Sequence, residues 1–147
     1  MSIDIKNLQK ELLSIIKEST DRATMKSVSK ELADDIKKRT RDGKSSTGNL
    51  PELQTPTVRI RKNVRLHRDT SPEKSNLTRG GALLNNIKTT AKAREGTVKM
   101  MGKQAEKTLK LEKIGFKFFN ASKEESKRVV EFIQKAINKA IRKFNNK

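Results

Sequence analysis

Cysteine, tryptophan and tyrosine are all absent from this 147-residue chain. Without cysteine there is no disulfide framework and no thiolate metal site, which fits a reducing compartment. The five aromatic residues are phenylalanines, at positions 116, 118, 119, 132 and 144. Modules that stack unpaired bases need exposed aromatic platforms; these phenylalanines stand in apolar settings and read as core. Histidine occurs once, as His67. Arg65 and Arg68 beside it favour the neutral imidazole, and a lone histidine in a basic loop is not a general base. Acid–base catalysis needs titratable groups set close together. No GxSxG elbow, GxxxxGK[ST] loop or GxGxxG turn occurs. Asp34-Asp35 and Glu124-Glu125 are neighbours on helices, where adjacent side chains diverge by about 100°, so they read as cap and solvent-face charges. No catalytic residue, metal or cofactor is expected.

A run of about 18 apolar residues, the length that suggests a membrane span, is also missing. The opening MSIDIKNLQKELLSII breaks its apolar stretch with charges, unlike a signal peptide. Its polar face mixes acids with lysines and carries no aromatic anchor, so it should pack on protein and not on a membrane. The chain is expected to be soluble and not secreted.

What the sequence does have is positive charge: 35 Lys and Arg against 17 Asp and Glu, a net +18. Such a balance favours a polyanion, an acidic protein surface or an acidic membrane. Hydrophobic residues are 32% and charged residues 35%, which allows one domain over 1–147 with a modest core. Some segments, with the loop at 42–57 first among them, are expected to order only on a partner.

Periodicity predicts an α+β fold in four stretches. Residues 1–41 form a helical region. Ile5, Leu8, Leu12, Ile15 and Ile16 make one stripe, and Met25, Val28, Leu32 and Ile36 another. Ser19-Thr20-Asp21 bends or breaks the helix between them. Gly43 stops it, after Lys37, Lys38, Arg39 and Arg41 crowd its last turn, where the helix dipole favours cations. Residues 42–76 are loop-rich and basic. Within them 58–68 alternates roughly like a strand, yet Thr55-Pro56 can open a short helix; helix is favoured. Residues 77–121 hold a helical turn, a hairpin over 86–94 and 97–101 with Glu95-Gly96 between, a helix at 103–113 and a short strand from Phe116 to Phe119. Residues 122–147 form an amphipathic helix with a Ser122–Glu125 capping box. Val129, Ile133, Ala136, Ile137, Ala140 and Ile141 make its stripe, which must dock on the chain's own sheet or on a neighbouring subunit.

The densest basic cluster is Arg59, Arg61, Lys62, Arg65 and Arg68. In a helix Arg61, Arg65 and Arg68 share a face; in a strand Arg59 and Arg61 do. Arginine forks pair with phosphates and carboxylates, so these five are the candidate contacts to DNA or to an acidic partner.

The segment SPEKSNLTRGGALLNNI, Ser71 to Ile87, resembles the virion morphogenesis, or tail-completion, family of tailed bacteriophages. Ser75, Asn76, Leu77, Thr78, Gly81, Leu84 and Ile87 fill the places of that family's motif. A basic N-terminal helix end, a hairpin, and the turn Gly115 to Glu125 into a capped last helix resemble it too. The chain departs at Gly80, where many members carry threonine, and at Phe116-Lys117, near which members often carry an arginine-proline pair. The resemblance implies a structural virion protein at the head–tail neck, made in the host cytoplasm. It implies a homo-oligomeric ring around the DNA channel, with other neck, portal or tail proteins as partners and contact with packaged DNA. The motif itself reads as a fold signature: Asn76 and Thr78 can bond nearby backbone, and glycine admits backbone angles other residues resist. The alternative is a sequence-nonspecific nucleic-acid-binding protein, associated with the nucleoid or the ribosome.

Overall fold

The computed structural model describes residues 5–66 and 70–146, with side chains from residue 9 onward. Ile5 and Leu8 of the first stripe, His67 and Arg68 therefore lie outside the described side chains.

Helix α1 spans Ile5–Ser19 and α2 spans Arg22–Arg41. They separate at the Ser-Thr-Asp break. The Ser19 and Thr20 hydroxyls both turn back onto the Ile16 carbonyl, at 3.1 and 2.6 Å, and Asp21 caps α2 by accepting from the Thr24 N–H at 2.7 Å. That backbone hydrogen bond holds the Asp21 carboxyl below its ordinary value. Its capping contribution is complete above the unfolded-state pKa and fades as pH falls through the lowered folded one. Helix α2 ends in a Schellman motif: Gly43 has φ +78, its N–H meets the Thr40 carbonyl and the Lys44 N–H meets that of Arg39, each at 3.0 Å.

The two strands, β1 (Ile87–Lys92) and β2 (Glu95–Met100), form an antiparallel hairpin that packs on α2. Its inward pairs are Ile87–Met100, Thr89–Val98 and Ala91–Gly96. The pairs shrink toward the turn, so the hairpin closes onto α2 at its tip. A Cβ added to Gly96 would collide with the Ser29 hydroxyl and lie 3.0 Å from the Met25 carbonyl. Those two atoms are already joined by a 2.8 Å hydrogen bond. The expected turn at Glu95-Gly96 is therefore corrected: the glycine serves close approach within β2, and the turn is Ala93-Arg94. Arg94 takes φ +66 and donates its N–H to the Thr20 carbonyl at 2.8 Å, which pins the tip to the α1–α2 junction. Gly96→Ala is expected to cost about 1–3 kcal/mol, as overpacking does, read as a lowered urea midpoint with an unchanged slope.

Three short helices fill the middle of the chain: α3 (Thr55–Lys62), α4 (Ala82–Asn85) and α5 (Lys103–Lys113). Helix α3 starts at Thr55-Pro56, as proline at a first turn allows, and ends well before residue 68. The expected strand over Phe116–Phe119 is absent. That segment instead turns tightly, with the Phe118 N–H on the Phe116 carbonyl at 2.9 Å. The Lys117 carbonyl accepts from Ser46 N–H and Oγ, at 2.9 and 3.1 Å, so the segment is tied to a loop and not to a sheet edge.

The last helix, α6 (Lys123–Asn145), runs antiparallel to α2 and also packs on α1. Its stripe is buried at Ala140 and partly buried from Val129 to Ile137, while Ile141 and Phe144 remain over a third exposed. The core gathers Ala33, Ile36, Leu50, Leu83, Leu84, Ile87 and Phe118. Of the five phenylalanines only Phe118 is fully buried; Phe116, Phe119 and Phe132 are half-buried. None of the described helices is long and apolar enough to cross a membrane.

Candidate functional site

The basic cluster divides at α3. Arg59 and Lys62 are exposed on the helix, and Arg65 is exposed beyond its end at Asn63. Lys62 reaches Glu73 at 3.4 Å. Arg68 lies outside the described residues. Arg61 does not belong with them: it is buried, at 4% exposure. Its guanidinium donates to the Lys74 carbonyl and to Thr70 Oγ1, both at 2.8 Å. Burial first, and then the like charge of Arg79, pull its pKa below the usual guanidinium value. The expectation of a shared Arg61–Arg65 contact face is thus corrected. Helix α3 ends at Lys62, and the side of it that carries Arg61 packs on the loop at 70–74.

Arg61 opens a polar network through the family-like motif. Thr70 Oγ1 donates to Asn76 Oδ1 at 2.7 Å, and the Thr78 hydroxyl donates to the same oxygen at 2.6 Å. Asn76 Nδ2 donates to the Arg41 carbonyl at 3.2 Å, which binds the motif to the end of α2. Asn76 and Thr78 are almost completely buried. Between them Leu77 takes φ +55, a conformation that costs a branched side chain energy and persists because its neighbours are held on both sides. Ser75 adds a hydroxyl hydrogen bond to the Pro51 carbonyl. Gly81, φ +73, occupies the left-handed position that begins α4. Each motif residue thus shapes the chain's approach to the hairpin, and none of Asn76, Thr78 or Gly81 offers a surface to a ligand.

Ser122 and Glu125 form the capping box, with N–H to side-chain oxygen distances of 2.7 and 3.1 Å. Glu125 is not a solvent-face charge, however. It is 2% exposed and accepts from Arg39 Nε at 2.7 Å. Arg39 also donates to the Phe118 and Asn120 carbonyls, at 3.0 and 2.8 Å. This pair joins the end of α2 to the start of α6 across 86 residues of sequence. The capping box pointed to Glu125, but no local signal marks Arg39 as its partner.

The described residues hold no group of three metal-ligating side chains. Among the described residues the groups with displaced pKa values are Asp21, Arg61 and Lys143. The first is a helix cap and the second a strut. The third is a surface lysine raised by Glu18, 2.5 Å away. Each of the three makes an intramolecular structural contact. Several apolar side chains stand outward: Leu12, Leu13 and Ile16 on α1, Leu109 on α5 with Ile114 just past its end, and Val130 on α6 are all at least 46% exposed. Compared with known proteins, the chain matches no family model, no curated protein and no solved structure.

Proposed function

We propose that this chain is a non-catalytic structural subunit of a tailed-phage head–tail junction, closing as a ring of copies around the DNA channel. The observation that carries the reading is the outer face of α1. Leu12, Leu13 and Ile16 form a contiguous apolar surface on a small chain of net charge +18. Apolar groups that cluster on a surface mark contacts with other chains. The motif from Ser75 to Ile87 directs the choice of assembly, and the charge guides docking to DNA or to an acidic neighbouring ring. Mass spectrometry of nuclease-treated, density-purified particles tests it. Recovery at ~6–12 copies per particle is the outcome for a closed ring, and absence from intact particles rejects it.

The charge of +18 also favours a second reading, nonspecific binding to nucleic acid. Salt separates the two. A chain that neutralises about six phosphates loses roughly 10³-fold in affinity for free DNA between 50 and 200 mM salt, whereas a neck subunit need not bind free DNA. Replacing Arg59, Lys62 and Arg65 together with alanine is expected to leave folding intact, since all three are exposed. In the ring reading it weakens assembly, and unchanged assembly removes these residues from the contact. Arg61 is left in place because its loss would test folding instead.

A further inference from the structure

A cleft of about 450 Å³ opens between the segment Pro51–Gln54, α4 and α5. Its floor is apolar, formed by Leu77, Leu83, Leu111 and Phe116, and Ile114 stands at its lip 68% exposed. Three cations line it: Arg61, Arg79 and Lys107, against the single acid Glu52. Neither Arg79 nor Lys107 has an ion-pair partner among the described residues. The buried Arg61 has its two terminal nitrogens bonded, but Nε has no partner. A buried donor left unpaired is costly, and here it belongs to a cation that a second cation crowds.

We propose that this cleft is a docking site for an extended segment of another protein that presents apolar side chains alternating with carboxylates. The charge of the lining selects the acid, and the floor selects the apolar side chain. The third feature selects a peptide over a free amphiphile. Pro51–Gln54 lies in no helix or strand, and among the described residues the backbone groups of Glu52 and Leu53 take part in no hydrogen bond. Backbone groups without partners at the rim of a cleft can pair with the main chain of an incoming peptide, while the peptide's side chains fill the pocket beside them. The inference concerns the isolated chain and does not require the ring reading.

Fluorescence anisotropy with the full chain and three labelled peptides is the test. The first is Gly-Leu-Asp-Leu-Glu-Gly, the second carries lysine for both acids, and the third carries serine for both leucines. The first is expected to bind, with the other two at least about tenfold weaker. The double variant Arg79→Glu, Lys107→Glu changes exposed or unpaired side chains, and its circular dichroism should match that of the parent. It should lose the acidic peptide by about tenfold or more and gain the lysine one. Equal binding of the first and third peptides, or an unaltered preference in the double variant, overturns the proposal. So does binding of dodecanoate in the absence of any peptide binding, which would assign the cleft to a free amphiphile. A chain that binds the peptide but is missing from phage particles keeps this inference and loses the ring; the converse result does the opposite.

Discussion

Glu125→Ala is expected to lower the stability of this chain by about 3–5 kcal/mol, the range for breaking a buried ion pair from one side. At roughly 2–4 °C per kcal/mol for a domain near this size, the melting temperature should fall by about 10 °C. The substitution leaves the Arg39 guanidinium without its carboxylate in a place with little water: Arg39 is 12% exposed and Glu125 2%. It also removes the acceptor for the Ser122 N–H and so opens the first turn of α6. Arg39 loses the anchor that holds it against the Phe118 and Asn120 carbonyls, and Phe118 is the most buried large side chain of the core. The exposed neighbour Glu124 is the control, because a surface substitution of this kind stays within about 0.5 kcal/mol. Equal melting of Glu124→Ala and Glu125→Ala would dismiss the pair as a structural tie. The double variant Arg39→Met, Glu125→Leu should be more stable than Glu125→Ala, since it removes both desolvated charges together.

Asn76→Leu is expected to cost about 3 kcal/mol, from several buried groups that each lose a partner at about 1–3 kcal/mol before relaxation. The Thr70 and Thr78 hydroxyls lose their common acceptor and the Arg41 carbonyl loses a donor. Leucine is close in size but offers neither oxygen nor N–H, so the result isolates hydrogen bonding from volume. Thr78→Val should cost less, about 1 kcal/mol, because it removes one donor and leaves Asn76 bonded to Thr70 and Arg41. Urea unfolding checks the order of the two. If Thr78→Val proved the more harmful, the network would be centred on the threonine and not on Asn76. The result bears on the family-like motif directly: its asparagine would be a determinant of folding, with an effect on assembly only through folding.

Much of the local structure was legible in the residues. The break at Ser19-Thr20-Asp21 is written in its short polar side chains, which compete with the helix for backbone groups. Gly43 at the end of α2, proline at the start of α3, and Ser122 with Glu125 at the start of α6 are all short-range chemistry, complete within four or five residues. The stripes at 3-4 spacing mark faces that must be covered, and they were sufficient to expect two long helices around a small hairpin.

The places where reading and structure part share a physical cause. Gly96 suggests a turn because glycine usually serves backbone freedom, yet here it serves proximity to Met25 and Ser29, which only packing creates. Arg61 reads as one of five surface cations, and only the fold of 70–76 over α3 buries it. Arg39 reads as a cation at a helix end, and only the approach of α6 turns it into half of a buried pair. Phe116–Phe119 has the composition of a strand, but the segment turns on itself and Ser46 takes the Lys117 carbonyl. Composition, caps and helical periodicity are properties of neighbours along the chain, so the sequence determines them by itself. Which cation is buried, which glycine is crowded and which loop covers a helix depend on contacts across tens of residues, and for this protein the tertiary structure alone decided them.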